Sequence, residues 1–353
     1  VELKDFLTPM EPAVAVAQLR QTATAERAGN LASRRLADVH AVLTQEMAWV
    51  DRELKRIAAL GLTPATDSAR HLLEAGGKRV RPLALLLSAA CFGPIPEAAW
   101  HLATVAELVH LATLLHDDVI DDAPERRGKP TSRTVWGNAV SVLAGDLLLT
   151  HALERTSAVA PKAVLDELFV TLRRLVDGEV VQLRGRTEVD VRPSTYFAIV
   201  QDKTASLFVW ATRTGGSVAG APQSNIDALG SFGQHMGVAF QLVDDLLDYA
   251  GEAVDTGKAI HADLREGKLT LPLVLAIERE PSLARDLEAA RVLDPGASAR
   301  LVAAVHAHGT CDEVRALART ETGRALDALA TLPASSARDL LAAIAAELTA
   351  RAA

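Results

Sequence analysis

A chain of 353 residues can bury a large core, and its 49% hydrophobic content excludes a disordered protein. The balance of 37 basic against 45 acidic residues, net −8, offers no footing for a nucleic-acid partner. Cys91 and Cys311 are too few for a disulfide framework or a four-thiolate zinc site, and read as small apolar residues in a reducing, cytoplasmic setting.

Residues 1–35 are Ala-rich and weakly patterned, which predicts a loosely attached helical arm. No basic segment followed by an apolar one opens the chain, so no signal peptide is expected. From Leu36 onward helical periodicity dominates. Leu36, Val39, Leu43, Met47 and Val50 fall at helical intervals, and "LATVAELVHLATLLHDDVIDD" is apolar nearly all round, as a buried helix would be. Breaks at "GLTPAT", "FGPIPEA", "APERRGKPT", "SAVAPKA", "VDVRPSTY", "AGAPQSN", "REGKLTLP", "LDPGAS" and "TLPASSA" cut the chain into about a dozen helices. No alternating apolar run argues for a sheet. The expectation is an all-α, single-domain helical bundle over residues 36–353. Mean hydropathy is high at +0.15, yet no stretch reaches the ~18–20 uncharged residues of a transmembrane helix. An apolar ligand or a dimer interface would account for the excess.

Two aspartate clusters stand out. Asp117, Asp118 and Asp121 end one apolar segment, and Asp244, Asp245 and Asp248 repeat the spacing at the end of another. Residues four apart on a helix differ by about 40° in direction, so each cluster shares a face. Like charges so placed repel, severely when buried, and a hard divalent cation removes the conflict. Mg²⁺ takes one or two carboxylates per ion and completes its shell with water and phosphate oxygens. One cluster alone could be a solvated helix end; two with identical spacing inside apolar helices argue for a site.

A metal-bound phosphate ester also calls for cations. "GGKRVRP" supplies Lys78, Arg79 and Arg81 behind two glycines, but lacks the pattern of a Walker loop. "ERRGKPT" supplies Arg126 and Arg127, whose planar forks suit phosphate. "QDKTAS" supplies Lys203 and Thr204, and "DTGKAIHADLREGK" supplies Lys258 and Lys268. Singly, each is better read as a surface cation. His110 lies seven residues before Asp117, about 20° around the helix, and shares the aspartate face; His116 points elsewhere and reads as structural. Glu179 and Gln182 share a helix face and could orient lysines or water, or cap a buried polar layer.

Together these motifs resemble the trans-type isoprenyl (polyprenyl) diphosphate synthases, over roughly Leu36 to Arg351. "DDVID" at Asp117–Asp121 looks like the first aspartate-rich motif of that family, and "DDLLD" at Asp244–Asp248 like the second. The resemblance implies an isoprenoid synthase fold around a central apolar cavity, a homodimer, and three Mg²⁺ ions held by the six aspartates. It implies that Lys78, Arg81, His110 and Arg127 hold isopentenyl diphosphate. Arg126, Lys203, Thr204, Gln241 and Lys258 would surround the allylic diphosphate, and Asp117, Asp118, Asp121, Lys203, Asp244 and Lys258 would drive the reaction. His261 stands where the family commonly has a small residue, which bears on Lys258 and Asp263.

In that family the residues four and five places before the first aspartate limit product length. Here they are Thr113 and Ala112, neither of which blocks a growing tail. A product longer than farnesyl is expected, as from the octaprenyl or solanesyl type members, with a geranylgeranyl or farnesyl synthase as the alternative. A terpene cyclase would lack the second diphosphate site. A di-iron bundle would need more than the single Glu-x-x-His of Glu107 and His110.

Overall fold

The structure is a computed structural model and describes residues 43–185, 190–249, 264, 268–291 and 294–350. The predicted arm of residues 1–35 and the positions Lys258, His261 and Asp263 lie outside the described residues. The elements in order are α1 (Thr44–Ala58), α2 (Ala65–Glu74), α3 (Val80–Ala90), α4 (Glu97–Ile120), β1 (Glu125–Arg126), β2 (Lys129–Pro130), α5 (Ser132–Trp136) and α6 (Asn138–Val159). They continue with α7 (Lys162–Arg184), α8 (Pro193–Ile199), a π-helical turn (Val200–Ala205), α9 (Ser206–Val218), α10 (Gln223–Leu247), α11 (Leu271–Arg279), α12 (Leu283–Arg291), α13 (Pro295–Ala307), α14 (Thr310–Ala330) and α15 (Ser336–Ala350). Among the described residues the fold is all-α apart from one short hairpin, and the described residues of the predicted breaks fall between helices or in their end turns.

Helix α4 is the spine. Leu102, Ala103, Thr104 and Val105, successive residues about 100° apart, are all inaccessible, so its middle is covered all round, chiefly by α6, α3, α1 and α9. By length and hydropathy alone it could cross a membrane, which the sequence reading had not granted to any stretch. Its burial inside the bundle assigns it to the core instead. Helix α10 packs on α9 and on the π turn before it where glycines stand. A Cβ at Gly233 would come within 2.8 Å of the Phe208 carbonyl oxygen, and one at Gly237 within 2.6 Å of the Ala205 Cα.

The hairpin and the π turn were not foreseen. Glu125 pairs with Pro130 and Arg126 with Lys129, leaving a two-residue loop of Arg127 and Gly128. Both loop residues have positive φ, 54° and 72°, the mirror-image turn that matches strand twist. A strand pair of two residues each is too short to leave an alternating pattern. The π turn carries "VQDKTA", and one extra residue in a helix leaves no mark on its apolar spacing.

Candidate active site

Both aspartate clusters sit at the carboxyl ends of their helices, Asp117–Asp121 on α4 and Asp244–Asp248 on α10. A helix dipole is negative at that end, so the carboxylates add charge where the backbone already disfavours it. Cations from elsewhere in the chain compensate. Asp118, 1% exposed, receives the Arg126 guanidinium at 2.7 Å from the hairpin. Asp121 receives the Lys268 ammonium at 2.8 Å, just before α11. Asp117 has Lys203 from the π turn at 3.8 Å. Burial pushes the Asp117 carboxyl up to about 6, against the pull of Lys203, with Glu179 and Asp121 adding repulsion.

Two bridges bring the clusters face to face. Lys203 turns to Asp117, while its neighbour Thr204 donates to Gln241 at 2.9 Å, and Gln241 donates to Asp245 at 2.9 Å. Lys268 reaches Asp121, while the amide of Leu271 three residues on donates to Asp245 at 3.1 Å. The Tyr196 hydroxyl adds a third bond to Asp245, at 2.7 Å. Asp245 is thus buried with both oxygens engaged, and braces the second cluster. Asp244 is half-buried and Asp248 buried. Tyr196 was not foreseen from the sequence; 49 residues separate it from its partner.

Among the described residues no three His, Cys, Asp or Glu side chains converge closely enough to cage an ion by themselves. The donors present are hard carboxylate oxygens on facing helices. That set fits a cation which takes only part of its shell from protein and the rest from water and phosphate.

A second group of cations lies beside the first. Arg81 packs its guanidinium over the Phe208 ring, 4.6 Å from the centroid, and its Nε is buried with no hydrogen-bond partner among the described residues. Burial pushes this guanidinium down to about 10, while Glu107 pulls the other way. His110 is held well below its ordinary value, first by burial, then by Arg81, Arg127, Arg126 and Arg79. It is therefore neutral at physiological pH. Gly77 belongs to the same place: a Cβ there would lie 3.1 Å from the Arg127 guanidinium. Lys78 follows it on the exposed loop.

Arg79 does not join this group as a phosphate cation. It is buried, with its guanidinium 2.7 Å from Glu107 and 3.3 Å from Asp51. That pair also removes the di-iron alternative, because Glu107 is committed to Arg79. His116 is structural as expected, stacked over Gly145 and bonded to the Val142 carbonyl at 3.2 Å. Thr113 lies one turn below Asp117 with its hydroxyl bonded to its own helix, at the His110 carbonyl (2.8 Å). Ala112 is buried.

An all-α bundle with two facing carboxylate clusters and an adjoining cation pocket defines a class of enzymes that act on diphosphate esters of apolar chains. The polyprenyl synthetase family model matches residues 64–306. The all-trans-nonaprenyl-diphosphate synthase (geranyl-diphosphate specific) of Rhodobacter capsulatus is 36% identical over 86% of this chain and 94% of that protein. The octaprenyl diphosphate synthase of Escherichia coli is 33% identical over 90% and 95%. The crystal structure of polyprenyl synthase from Caulobacter crescentus, complexed with calcium and isoprenyl diphosphate, superposes with a TM-score of 0.84 at 35% identity, covering 90% of this chain and 98% of that one. The chain belongs to the polyprenyl synthetase family and is a polyprenyl diphosphate synthase, a prenyltransferase with the isoprenoid synthase fold.

Proposed function

We propose that this enzyme condenses isopentenyl diphosphate with an allylic diphosphate, using Mg²⁺, to make a trans-polyprenyl diphosphate longer than farnesyl. The observation that carries the reading is the pairing of two unlike sites. One has carboxylates already matched by Arg126, Lys203 and Lys268. The other is a pocket of the cations Arg81 and Arg127 beside the neutral His110, and in it the buried Arg81 Nε awaits an acceptor. A diphosphate brings charge to the pocket without a metal, and charge plus metal to the carboxylates.

In this reading Asp117, Asp118, Asp121, Asp244, Asp245 and Asp248 would carry the ions, three in number, with both oxygens of Asp245 already bonded within the protein. Bound ions would supply Lewis-acid charge that draws electrons toward the leaving diphosphate. Lys203, Arg126, Thr204, Gln241 and Lys258 hold that diphosphate while its bond to the allylic carbon breaks and the electron pair leaves with oxygen. Lys78, Arg81, His110 and Arg127 fix isopentenyl diphosphate so that its double bond attacks the allylic cation and forms the new carbon–carbon bond. The proton is lost to the departed diphosphate, so no side chain need act as base. The buried faces of α4 and α9 keep water from the cation.

The surroundings of the reaction follow the same reading. Residues 36–353 form the catalytic domain, 1–35 an arm. A second copy packs on the apolar face formed by Leu143 of α6 and by Phe169, Val170, Val176, Val180 and Leu183 of α7, all substantially exposed. The protein works in the cytoplasm. Incubation with isopentenyl diphosphate and geranyl, farnesyl or geranylgeranyl diphosphate, with Mg²⁺ or with EDTA, tests it. Mg²⁺-dependent elongation seen by mass spectrometry supports the reading; no diphosphate-bearing product with any primer overturns it.

Two further outcomes are expected. Arg127 sits at φ 54° in a turn that suits Asn-Gly, at a cost of roughly 1 kcal/mol. R127N should keep or slightly raise the melting temperature while raising KM for isopentenyl diphosphate by about tenfold or more, the loss of one charged hydrogen bond. Steady-state kinetics beside a melting curve would separate the two effects.

The second concerns pH. The Asp117 carboxyl at about 6 lies above the unfolded value of 3.8, so the ligand-free fold takes up this proton more readily than the unfolded chain. As pH rises through 6 the ligand-free fold carries the charged carboxylate at a cost; as pH falls through 6 the metal must displace a proton. The Mg²⁺ needed for half-saturation should rise about tenfold between pH 7 and pH 5, where an ordinary aspartate would add almost nothing. Mn²⁺ titration followed by electron paramagnetic resonance would read it directly.

A further inference from the structure

The three cation–carboxylate pairs of the first cluster are not alike. Arg126 bonds Asp118 and Lys268 bonds Asp121 at hydrogen-bond distance. Lys203 stands 3.8 Å from Asp117, beyond such a bond, and its ammonium is instead in close contact with Glu179 Oε2 of α7. One ammonium faces two carboxylates, and the one that lies outside the aspartate motifs holds it.

The local backbone makes this choice. Glu179 follows Gly178, where a Cβ would come within 2.8 Å of the Lys203 amide nitrogen and 3.1 Å of the Asp202 and Lys203 Cβ atoms. Only a glycine lets α7 lie that close to the π turn. The turn in its place sets Lys203 beside Glu179 rather than squarely over α4. The side chains of Glu179 and Lys203 are 14% and 21% exposed, so their contact is shielded from water. Gln182, one turn on, donates to the other Glu179 oxygen at 3.4 Å. The carboxylate is thus gripped from both sides.

We propose that Glu179 is a positioning residue: it holds the Lys203 ammonium clear of Asp117, so that this carboxylate stays open to the metal ion that arrives with the diphosphate. Without Glu179 the lysine closes the remaining gap to Asp117, and an incoming ion must first break a partly buried ion pair. This inference rests on the metal–diphosphate reading of the aspartates given above.

The test is a double-variant cycle read by binding. Mn²⁺ affinity is measured by electron paramagnetic resonance, in the presence of inorganic diphosphate, for the full-length wild type, E179Q, K203A and E179Q/K203A. E179Q is expected to weaken Mn²⁺ binding about three- to tenfold, and to have no further effect when Lys203 is absent. An equal weakening in both backgrounds would show that Glu179 acts only through its own charge, and would overturn the proposal. So would unchanged binding in E179Q. Should the glutamine variant not fold, E179S removes the same grip. If the wild type binds no Mn²⁺, the aspartate reading itself fails and this inference with it.

Discussion

Asp117→Ala should lower kcat by about a thousandfold, while Asp122→Ala changes it by less than about threefold. The two aspartates lie five residues apart in one acidic run and carry the same charge, so composition alone would rank them equally. Asp117 is shielded between α4 and the π turn, with its carboxyl raised toward neutrality by burial and Lys203 beside it. Lys203 beside it is followed by Thr204, which is bonded to Gln241 and through it to Asp245. Asp122 is 82% exposed, has positive φ, and pairs with Arg133 at the surface. Removing one well-placed electrostatic contact from a water-poor site typically costs 10²–10³ in rate. In the proposed function the loss of this carboxylate also lowers the occupancy of the ion. Turnover at saturating Mg²⁺, with products sized by mass, decides it. A mild effect at Asp117, or a severe one at Asp122, would move the site away from the α4 terminus.

Thr113→Phe should shorten the longest product by about two isoprene units or more and leave KM for isopentenyl diphosphate within about threefold. Thr113 lies four residues before Asp117, one 5.4 Å turn below it on nearly the same face of α4. In the proposed function a tail anchored by its diphosphate at the aspartates passes this level. The threonine hydroxyl is spent on the His110 carbonyl, so the position puts no unmet polar group in the way. A phenylalanine adds a rigid ring at that depth of α4. The guanidinium groups of Arg81 and Arg127 come from other elements and are left in place by this change, which is why substrate affinity should hold. An unchanged product distribution would place the floor of the cavity on α7 or α9 instead.

The helices were legible because they are long, apolar and separated by proline and glycine breaks. Both aspartate clusters were legible for a related reason: a spacing of one helical turn says which side chains share a face. The partnerships between distant segments were not. Lys268 and Asp121 are 147 residues apart, and nothing local in either records the other. Arg79 shows the same limit from the opposite side. In the sequence it is one of three cations in "GGKRVRP", as suited to phosphate as its neighbours. Its φ of 50° turns it inward to Glu107, so it serves the core while Arg81 serves the pocket. Lys203 and Thr204 are visible as residues, but the π turn that sets one between Glu179 and Asp117 and the other on Gln241 depends on packing against Gly178.

Helix α4, with its 24 residues, is ~36 Å from end to end, close to the hydrocarbon depth of a lipid bilayer. It is also apolar enough to sit in one. A polyprenyl chain is itself a membrane lipid, and while it grows it needs a dry medium of comparable depth with a charged headgroup station at one end. In the proposed function the bundle supplies both: the apolar length of α4 for the tail, and at its end the carboxylates and cations that play the part of the polar interface. The enzyme is in that sense a single-molecule leaflet, holding its product in solvent conditions the lipid will meet again after release.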